Sequence, residues 1–429
     1  MPLFDGHSCQ NCRYLAPTIA SVRHAATMLK SATPFYLIDF AMNQLQLPLP
    51  SSDALEASQA LCQHIAESIN AHGGWISFAD FMRLAMYTPA LGYYSGGATK
   101  FGGAGDFVTA PEISPFFGAT VAATLAHVLD EIGQESASVL EVGAGTGQLA
   151  AQILQELERR NALPVHYAIL ELSGQLRERQ RQTLLTLVPH LIDRVQWLDA
   201  LPDHFVGVML GNEVLDAMPC ELVQLADGQW QQRGVILSEQ GFAMQNRPIQ
   251  SAQLAAACEP LPTIPNYTSE IHLEAQGFIT ALGQSLQRGM ILLIDYGFPQ
   301  REYYHPERSM GTLIGHYRHH TVHDPFFYPG LTDITCHVDF TAMYTAAEAS
   351  GLSLEGYTTQ ASYLLDAGIL DFAQQLPTTS IDYMKSVAAI QKLTTHAEMG
   401  EIFKVIAFSK GLTGDTAPGL RGRDRSGEL

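Results

Sequence analysis

A chain of 429 residues, 46% of them hydrophobic, is long enough for one large α/β domain with insertions or for two domains, and its composition argues against general disorder. The formal net charge of −19 disfavours binding to DNA or RNA. It favours cationic partners such as basic peptides, although the same charge can serve only to keep the protein soluble. Because no apolar run reaches the length of a bilayer-spanning helix, we expect no membrane span.

The start of the chain differs from the rest. We expect residues 1–50 to be a loose extension, because the first 41 residues carry few acids whereas the remainder is strongly acidic. This composition fits either an organellar transit peptide or an over-extended N-terminus before a true start at Met42. We favour the second interpretation and a cytoplasmic location, with the mitochondrial matrix as the alternative. Cys9 and Cys12 have metal-ligand spacing, but no second pair completes a tetrahedral site, so no metal is expected.

Residues 51–113 are predicted to form a helical lead-in followed by a closing loop. Helices are expected over residues 52–69 and from Ser77 onward, because a serine can cap the start of each apolar-periodic segment. The stretch that follows is rich in glycine and contains the acids Asp106 and Glu112, which is typical of a loop that closes over a ligand. A surface loop without a role is the alternative.

The most informative segment, residues 138–151, has the pattern strand, glycine loop, helix. An apolar run ends at Val142, three glycines follow at alternate positions, and apolar residues then recur at helical spacing. The glycines permit a tight turn and close approach of a ligand to the backbone. They are Gly143, Gly145 and Gly147. Their spacing differs from that of dinucleotide-binding loops, and the neighbouring acid Glu141 would repel a pyrophosphate but attract an ammonium or sulfonium group.

A second acid ends the next predicted strand. Residues 167–170 form an apolar run that leads to Glu171, where a carboxylate can bind the two hydroxyl groups of a ribose. Adenosine joined to a cationic, amino-acid-like tail is S-adenosylmethionine, so we predict this cofactor beside Glu141 and Glu171. An ordinary strand–helix turn without a ligand is the alternative.

Polar residues also follow the fourth predicted strand, residues 205–210. Asn212, Glu213 and Asp216 come directly after it. Because loops at the carboxyl ends of adjacent parallel strands share one crevice, we expect these side chains to face the glycine loop. A helical turn at this point would place Glu213 and Asp216 on one face. The alternative is that the three residues are polar caps of a buried helix.

The second half of the chain alternates predicted strands with insertions. A β-hairpin or meander and a helix from about residue 269 make up an insertion over about residues 220–288. A fifth strand, an irregular rim that includes His337, a sixth strand, a helical insertion over residues 360–399 and a last strand follow. The rim histidines have no spacing that indicates metal ligands. Residues 411–429 are expected to be a loose tail.

Seven motifs occur in order along the chain: Gly92-Tyr-Tyr, Gly105-Asp-Phe-x-Thr-x-Pro-Glu-x-Ser114, Glu141-Val-Gly-Ala-Gly-Thr-Gly-Gln-Leu149, Asn212-Glu-x-x-Asp-Ala-x-Pro219, Asp295-Tyr-Gly297, Asp333-Ile-Thr-x-His-Val-Asp-Phe340 and Met399-Gly-x-x-Phe-Lys-Val405. The set closely resembles the MidA-type S-adenosylmethionine-dependent methyltransferases, whose mitochondrial branch is the complex I assembly arginine methyltransferase. The resemblance covers roughly residues 52–410. Its departures are Cys220 and Cys336, which stand where a small or aliphatic residue is expected.

The resemblance implies an α/β fold, with a seven-stranded, Rossmann-like methyltransferase core over residues 114–410 that carries the helical lead-in and the inserted β-hairpin and helical segments. It also implies protein-arginine methylation, with S-adenosylmethionine as cofactor and a protein presenting an arginine as substrate. We expect no nucleic acid among the partners, and a homodimer is left open. The rival hypotheses are an assembly factor of the same fold that holds a client protein, a Rossmann oxidoreductase, and a small-molecule methyltransferase.

Single residues are expected to have distinct roles. Glu213 and Asp216 are expected to clamp and orient a guanidinium group, with Asn212 beside them. One of the two acids, or His337, is expected to take the proton released after methyl transfer. The residues expected to hold the cofactor are Glu141, Gly143, Gly145 and Gly147 at its methionine end, Glu171 at its ribose, and Asp106 and Glu112 in the closing segment.

Overall fold

Capping side chains decide where many of the helices begin in the computed structural model, which describes residues 47–96 and 108–429. Ser77, for example, accepts a hydrogen bond from the backbone N–H of Asp80 at 3.0 Å, which pairs a donor that the first helical turn leaves unsatisfied. Within the described ranges the helices are α1 (Ser52–Ala71), α2 (Phe78–Tyr87), α3 (Ala110–Ile113), α4 (Pro115–Ile132), α5 (Gln148–Arg159), α6 (Gly174–Leu187), α7 (Ala252–Ala257), α8 (Leu273–Ser285), α9 (Gln300–Tyr303), α10 (Phe340–Ala349), α11 (Gln360–Asp366), α12 (Ile369–Gln374), α13 (Ile381–Thr394) and α14 (Met399–Ile402), with 3-10 turns at Pro189–Arg194 and Ser426–Glu428.

Short apolar runs form the strands, and the central ones are buried on both faces, as parallel strands covered by helices are. The strands are β1 (Ile76–Ser77), β2 (Ser138–Val142), β3 (Tyr167–Leu170), β4 (Val195–Leu198), β5 (Phe205–Asn212), β6 (Glu221–Ala226), β7 (Gln229–Ser238), β8 (Gly241–Pro248), β9 (Thr268–Ile271), β10 (Leu286–Phe298), β11 (Ile314–Tyr317), β12 (His320–Val322), β13 (Asp333–Thr335), β14 (Val338–Asp339), β15 (Ser353–Thr359) and β16 (Phe403–Lys410).

The main sheet is mixed, which confirms the predicted α/β class. Its strand order is β15-β16-β10-β5-β2-β3-β4, and the short β14 pairs with β10 as an eighth strand. The strands from β10 to β4 are parallel, whereas β16 is antiparallel to both of its neighbours. The register pairs Val142 with Gly211, and Asn212 with Ile294. The glycine loop, the segment after β5 and the end of β10 therefore lie next to one another at the carboxyl edge.

Two hydrophobic layers cover the main sheet because successive residues of a strand point to opposite faces. Val139 and Val208 belong to a core cluster that includes apolar residues of α4 and α5. Leu140 and Met209, the next residues along, belong to a second cluster that includes apolar residues of α8 and α10. The sheet is thus the middle of three layers, and this rigid frame supports the loops at its carboxyl edge.

Two smaller antiparallel sheets accompany the main one. The segment after β5 forms the predicted meander, and the strand order of its sheet is β1-β7-β6-β9, with β8 paired to β7. The stretch predicted to be an irregular rim contains a three-stranded sheet of order β12-β11-β13. Residues 360–399 hold the helices α11, α12 and α13.

Two local predictions are wrong. Residues 268–271 form the strand β9 rather than the start of a helix, since they pair with β6, and α8 begins only at Leu273. The tail at residues 411–429 is packed rather than loose. Ala417 and Leu420 are buried in the main core, and the Gly419 N–H donates a 2.7 Å hydrogen bond to Asp366. These apolar residues give the tail enough buried surface to be held in place.

Candidate functional site

A cavity of about 1420 Å³ opens at the carboxyl edge of the main sheet, where open α/β sheets bind their ligands. It is lined by the ends of β2, β3, β5 and β10 and by parts of the helical lead-in, the rim and the segment before β16. The predicted site residues that line it are Glu112, Glu141, Gly143, Gly145, Glu171, Asn212, Glu213, Asp216 and His337. Gly147 is not among the lining residues, and Asp106 lies outside the described residues.

The glycine loop has a backbone that favours glycine at each of its three positions. The φ angles are +65° at Gly143, +51° at Gly145 and +82° at Gly147, all in the left-handed region. A Cβ on Gly145 would meet no atom within 4 Å, so this residue borders the open cavity. A Cβ on Gly147 would lie 3.0 Å from the Cα of Gln180 instead. Gly145 therefore leaves room for a ligand, whereas Gly147 allows the close packing of α5 on α6.

Glu141 stands beneath the glycine loop as a buried carboxylate that still faces the cavity. Its Oε2 accepts a 2.6 Å hydrogen bond from the hydroxyl group of Tyr167 on the neighbouring strand β3. Burial raises the pKa of Glu141 to about 7, and the bond from Tyr167 opposes that rise. A cation bound in the cavity would favour the ionised form of this carboxyl group.

Glu171 is held by groups that the sequence does not single out. Its carboxylate accepts hydrogen bonds from the backbone N–H of Ser173 at 2.8 Å and from the side chain of Gln180 at 3.1 Å. Gln180 also donates to the carbonyl oxygen of Gly145 at 3.2 Å and accepts from the indole N–H of Trp197 at 2.9 Å. Burial raises the pKa of Glu171, against the effect of these bonds. Gln180 thus ties the second acid to the glycine loop.

The turn after β5, residues 212–216, carries two carboxylates but is not helical. Glu213 has a φ of +54°, which a non-glycine residue seldom adopts, so no helical turn begins here. Its Oε1 accepts a 3.0 Å hydrogen bond from the side-chain amide of Asn212. Desolvation, and then the charge of Asp216, raise the pKa of Glu213 to about 8. Without a ligand, the carboxyl group of Glu213 therefore releases its proton only near pH 8.

Asp216 is the second carboxylate of this turn and is only 5% exposed. Its Oδ2 accepts a 2.6 Å hydrogen bond from the hydroxyl group of Tyr296, whereas its Oδ1 has no hydrogen-bond partner among the described residues. Burial raises the pKa of Asp216 to about 6. A buried acceptor without a partner is costly unless a ligand supplies the donor.

Asp295, near the end of β10, is named by the sequence analysis only as part of a motif and not as a site residue. Its Oδ2 accepts the backbone N–H groups of Val214, Leu215 and Asp216 at 3.1, 2.9 and 3.3 Å. Asp295 follows a predicted strand just as Glu171 does, so the same rule about carboxyl ends of strands would have placed it here. It supports the turn from behind and is not a lining residue of the cavity.

Several acids and aromatic rings line the cavity. Tyr87 and Tyr94 stack with ring centroids 5.6 Å apart, and the Tyr94 hydroxyl donates a 3.1 Å hydrogen bond to Asp333. Among the described lining residues the basic side chains are Arg83 and Lys392, and Arg83 is paired with Glu274. The lining carboxylates are Glu112, Glu141, Glu171, Glu213, Asp216, Glu274 and Asp333. This excess of acids makes the cavity suited to a cationic ligand.

His337 lies in the cavity wall with its ring centroid 5.2 Å from that of Tyr296. Burial lowers the pKa of His337 to about 4, and the charges of Arg308 and Lys404 act in the same direction. The imidazole is therefore neutral at physiological pH and a weak base. It is a poorer proton acceptor than the carboxylate of Glu213.

Within residues 47–96 and 108–429, no group of three or more histidine, cysteine or acidic side chains is arranged to hold a metal ion. The expectation that the site uses no metal remains a prediction. No helix of the same ranges combines the length and apolar character needed to cross a bilayer.

Several known proteins are similar to this chain. A relative in Drosophila melanogaster named protein arginine methyltransferase NDUFAF7 homolog, mitochondrial, is 28% identical over 85% of this chain and 88% of its own. The human protein arginine methyltransferase NDUFAF7, mitochondrial, is 26% identical over 72% of this chain and 73% of its own. A crystal structure from Burkholderia thailandensis, bound to S-adenosyl-homocysteine, is 47% identical and covers 89% of this chain and 100% of its own, with a TM-score of 0.85.

These similarities correct one expectation and confirm others. The fly and human relatives are named mitochondrial proteins, which contradicts the expected cytoplasmic location. The bound S-adenosyl-homocysteine, the product form of the cofactor, confirms S-adenosylmethionine as the cofactor. The family model of S-adenosyl-L-methionine-dependent methyltransferases matches residues 120–358, more than half of the chain. The chain thus belongs to the MidA-type family of S-adenosylmethionine-dependent methyltransferases.

Proposed function

We propose that this methyltransferase methylates the guanidinium group of an arginine in a protein substrate. The observation that carries the proposal is the pair of carboxylates, Glu213 and Asp216, in the same acidic cavity as the glycine loop. A guanidinium group is planar, permanently charged and rich in donors, so paired carboxylates suit it better than they suit a neutral acceptor. The names of the fly and human relatives support the same substrate.

The residues of the glycine loop and of the strand ends fit S-adenosylmethionine. When bound, this cofactor supplies a methyl group that is already activated by its sulfonium charge. Gly143 and Gly145 would lie against its methionine end, with Glu141 facing the positive charge. Glu171, at the end of β3, would accept hydrogen bonds from the ribose hydroxyls. Glu112, on α3, would lie beside the bound cofactor. Asp106, in the closing segment, remains a candidate cofactor-binding residue.

The turn at residues 212–216 would hold the acceptor. The free Oδ1 of Asp216 offers an unpaired acceptor to a guanidinium N–H, and Glu213 offers a second carboxylate three residues away. Asn212 orients Glu213 through its 3.0 Å hydrogen bond. Two carboxylates would localise the guanidinium charge and align one nitrogen for attack. A bound guanidinium favours the ionised form of Glu213, and its pKa near 8 without ligand makes this carboxylate our candidate to take the proton that the nitrogen releases.

A direct test starts from the full-length protein and a gel-filtered lysate of cells that lack this gene. The two are incubated with S-adenosylmethionine labelled in its methyl group, and the lysate proteins are hydrolysed to amino acids. Labelled methylarginine that requires the added protein is the expected result. Label in another amino acid or only in small molecules would contradict the proposal. An unlabelled lysate with a client protein retained on the chain would favour the assembly-factor hypothesis.

Finer features of the architecture also remain proposals. We propose that the seven strands on the path of the main sheet form a Rossmann-like core over residues 114–410, with residues 51–113 as lead-in and insertions over about 220–288 and 360–399. Limited proteolysis tests this division, since linker sites should be cut before core strands.

The names of the animal relatives favour a mitochondrial location, which imaging of the tagged chain would test. A homodimer and the lack of nucleic-acid binding stay predictions.

A further inference from the structure

Three successive residues of β10 hold the turn at residues 212–216 from behind. The backbone carbonyl oxygen of Ile294 accepts the Glu213 N–H at 2.9 Å. Asp295 accepts the next three N–H groups along the turn, at 3.1, 2.9 and 3.3 Å. Tyr296 donates through its hydroxyl group to Asp216 at 2.6 Å. Four consecutive backbone donors of the turn are thus paired with one strand.

Asp295 has the central part in this arrangement. It is 1% exposed, and its second oxygen, Oδ1, accepts the N–H of Tyr296 at 2.9 Å. An ionised carboxylate can receive these four N–H groups without presenting a donor of its own. Burial and the charges of Asp216 and Glu213 raise the pKa of Asp295, and the hydrogen bonds from the backbone oppose that rise. A neutral side chain at this position would leave some of these buried donors unpaired.

The turn needs such support because its backbone is strained. Glu213 has a φ of +54°, a conformation that persists in a non-glycine residue only where the surroundings enforce it. A relaxed turn would move the carboxylates of Glu213 and Asp216 away from their present places in the cavity wall. A displacement of about 1 Å at such groups can slow a reaction about 100-fold.

We infer that Asp295 is a positioning residue for methyl transfer, which fixes the turn so that Glu213 and Asp216 face the methyl acceptor. The inference rests on the proposed function, because that function gives the two carboxylates their role. Asp295 does not line the cavity, so it would contact neither the cofactor nor the methyl acceptor. An ordinary contribution to folding stability is the alternative, and it would affect the whole protein rather than the turn alone.

The test uses the full-length Asp295→Asn variant, in which one carboxylate oxygen becomes an N–H donor. Three quantities are measured: the maximal rate of methyl incorporation into the deletion lysate, the affinity for S-adenosyl-homocysteine, and hydrogen exchange at the amides of residues 214–216. We expect the maximal rate to fall about 100-fold and exchange at the three amides to speed up about tenfold or more. The affinity for S-adenosyl-homocysteine should change less than about threefold, since Glu141 and the glycine loop are untouched.

Asp366→Asn is the matched control. The Oδ2 of Asp366 also accepts two backbone N–H groups, those of Gly419 at 2.7 Å and Arg421 at 3.0 Å, and it does not line the cavity. This variant should keep the maximal rate and the exchange at residues 214–216. A rate in Asp295→Asn within about twofold of the parent, or a loss of rate matched by an equal loss of S-adenosyl-homocysteine binding, would overturn the inference.

A second variant is used if Asp295→Asn fails to fold. If Asp295→Asn does not unfold cooperatively, Asp295→Ser is used, because a hydroxyl oxygen is smaller and still accepts a hydrogen bond. If neither variant binds S-adenosyl-homocysteine, Asp295 determines the fold rather than the turn, and the inference is wrong. If the parent labels an amino acid other than arginine, the proposed function fails alone, because the exchange and affinity measurements still report on the turn.

Discussion

Tyr296 and Asp216, which are 80 residues apart in the chain, are joined by a 2.6 Å hydrogen bond in the wall of the cavity. The phenol hydroxyl donates to one carboxylate oxygen, and the other oxygen has no partner among the described residues. The carboxylate therefore has a fixed orientation and one acceptor left for a ligand. The hydrogen bond from Tyr296 thus sets which oxygen of Asp216 is available to bind a cation.

Tyr296→Phe should make the acidic limb of the pH–rate profile steepen at a higher pH than in the parent, because Glu213 sets where the limb begins and Asp216 sets where it becomes steeper. Burial raises the pKa of Asp216 to about 6, and the bond from Tyr296 opposes this rise. Without that bond the carboxyl group becomes protonated at higher pH, and a protonated Asp216 no longer attracts a guanidinium group. The measurement is methyl incorporation into lysate protein between about pH 5 and pH 9.

Tyr344→Phe is the control for this change. Its hydroxyl group donates to Glu348 at 3.1 Å on an exposed helical face, away from the cavity. The profile of this variant should coincide with that of the parent. An acidic limb that is no steeper in Tyr296→Phe than in the parent would mean that ionisation of Asp216 does not limit methyl transfer.

Glu213→Gln should abolish most methyl transfer while it leaves cofactor binding almost unchanged. Glutamine keeps the size of the side chain but can neither carry the negative charge nor accept the released proton. We expect the maximal rate to fall roughly 100-fold or more, as for the loss of a general base. Calorimetry with S-adenosyl-homocysteine should give an affinity close to that of the parent. Full activity in this variant would remove Glu213 from the mechanism.

The sequence indicates the parts of the site that follow from strand order. Glu171 and the segment after β5 could be assigned to one crevice, because acids at the carboxyl ends of neighbouring parallel strands meet there. Gly143 and Gly145 could be assigned because few other residues adopt their positive φ angles. These inferences need only the periodicity of the chain and general rules of sheet geometry.

Other features of the site and of the fold depend on contacts between segments that are far apart in the chain, and no local sequence pattern indicates such contacts. The spacing of Glu213 and Asp216 is compatible with a helical turn, but the N–H groups of residues 213–216 bond to Ile294 and Asp295 of β10 instead. Gln180 looks like an ordinary polar residue of an amphipathic helix, yet it joins Glu171 to the glycine loop. The packing of residues 411–429 likewise depends on the core that they meet.

Gly145→Val should prevent cofactor binding. The isopropyl group would occupy the open space beside the loop, where no atom lies within 4 Å of a Cβ. The φ of +51° adds backbone strain, so a control must share that strain. Gly351→Val does, since its φ is +77° and its Cβ would also meet no atom within 4 Å, but it does not line the cavity.

We expect calorimetry with S-adenosyl-homocysteine to show a loss of affinity of about 100-fold or more in Gly145→Val and almost none in Gly351→Val. Both variants should have a similarly lowered melting temperature, because both force a branched residue into the left-handed region. An equal affinity of the two variants would mean that the glycine loop does not contact the cofactor.

The pH dependence of stability should also change in Glu213→Gln. The pKa of Glu213 is raised from 4.5 to about 8 by burial and by the charge of Asp216. The contribution of Glu213 to stability is therefore fully present below pH 4.5 and is lost as the pH rises through about 8, since the unfolded chain ionises first. Glutamine is neutral at every pH, so the variant avoids this loss.

Thermal unfolding without ligand, measured between about pH 5 and pH 9, tests the sign of this effect. The melting temperature of the parent should fall more steeply than that of Glu213→Gln, and the variant should be the more stable protein at the alkaline end. Each kcal/mol of difference corresponds to about 1 °C, because the entropy of unfolding of a chain of 429 residues is about 0.9 kcal/mol/K. Glu178→Gln, which removes an exposed carboxylate of α6, should follow the parent. Parallel curves for the parent and Glu213→Gln would mean that Glu213 ionises at its ordinary pKa and is not the base that the cavity provides.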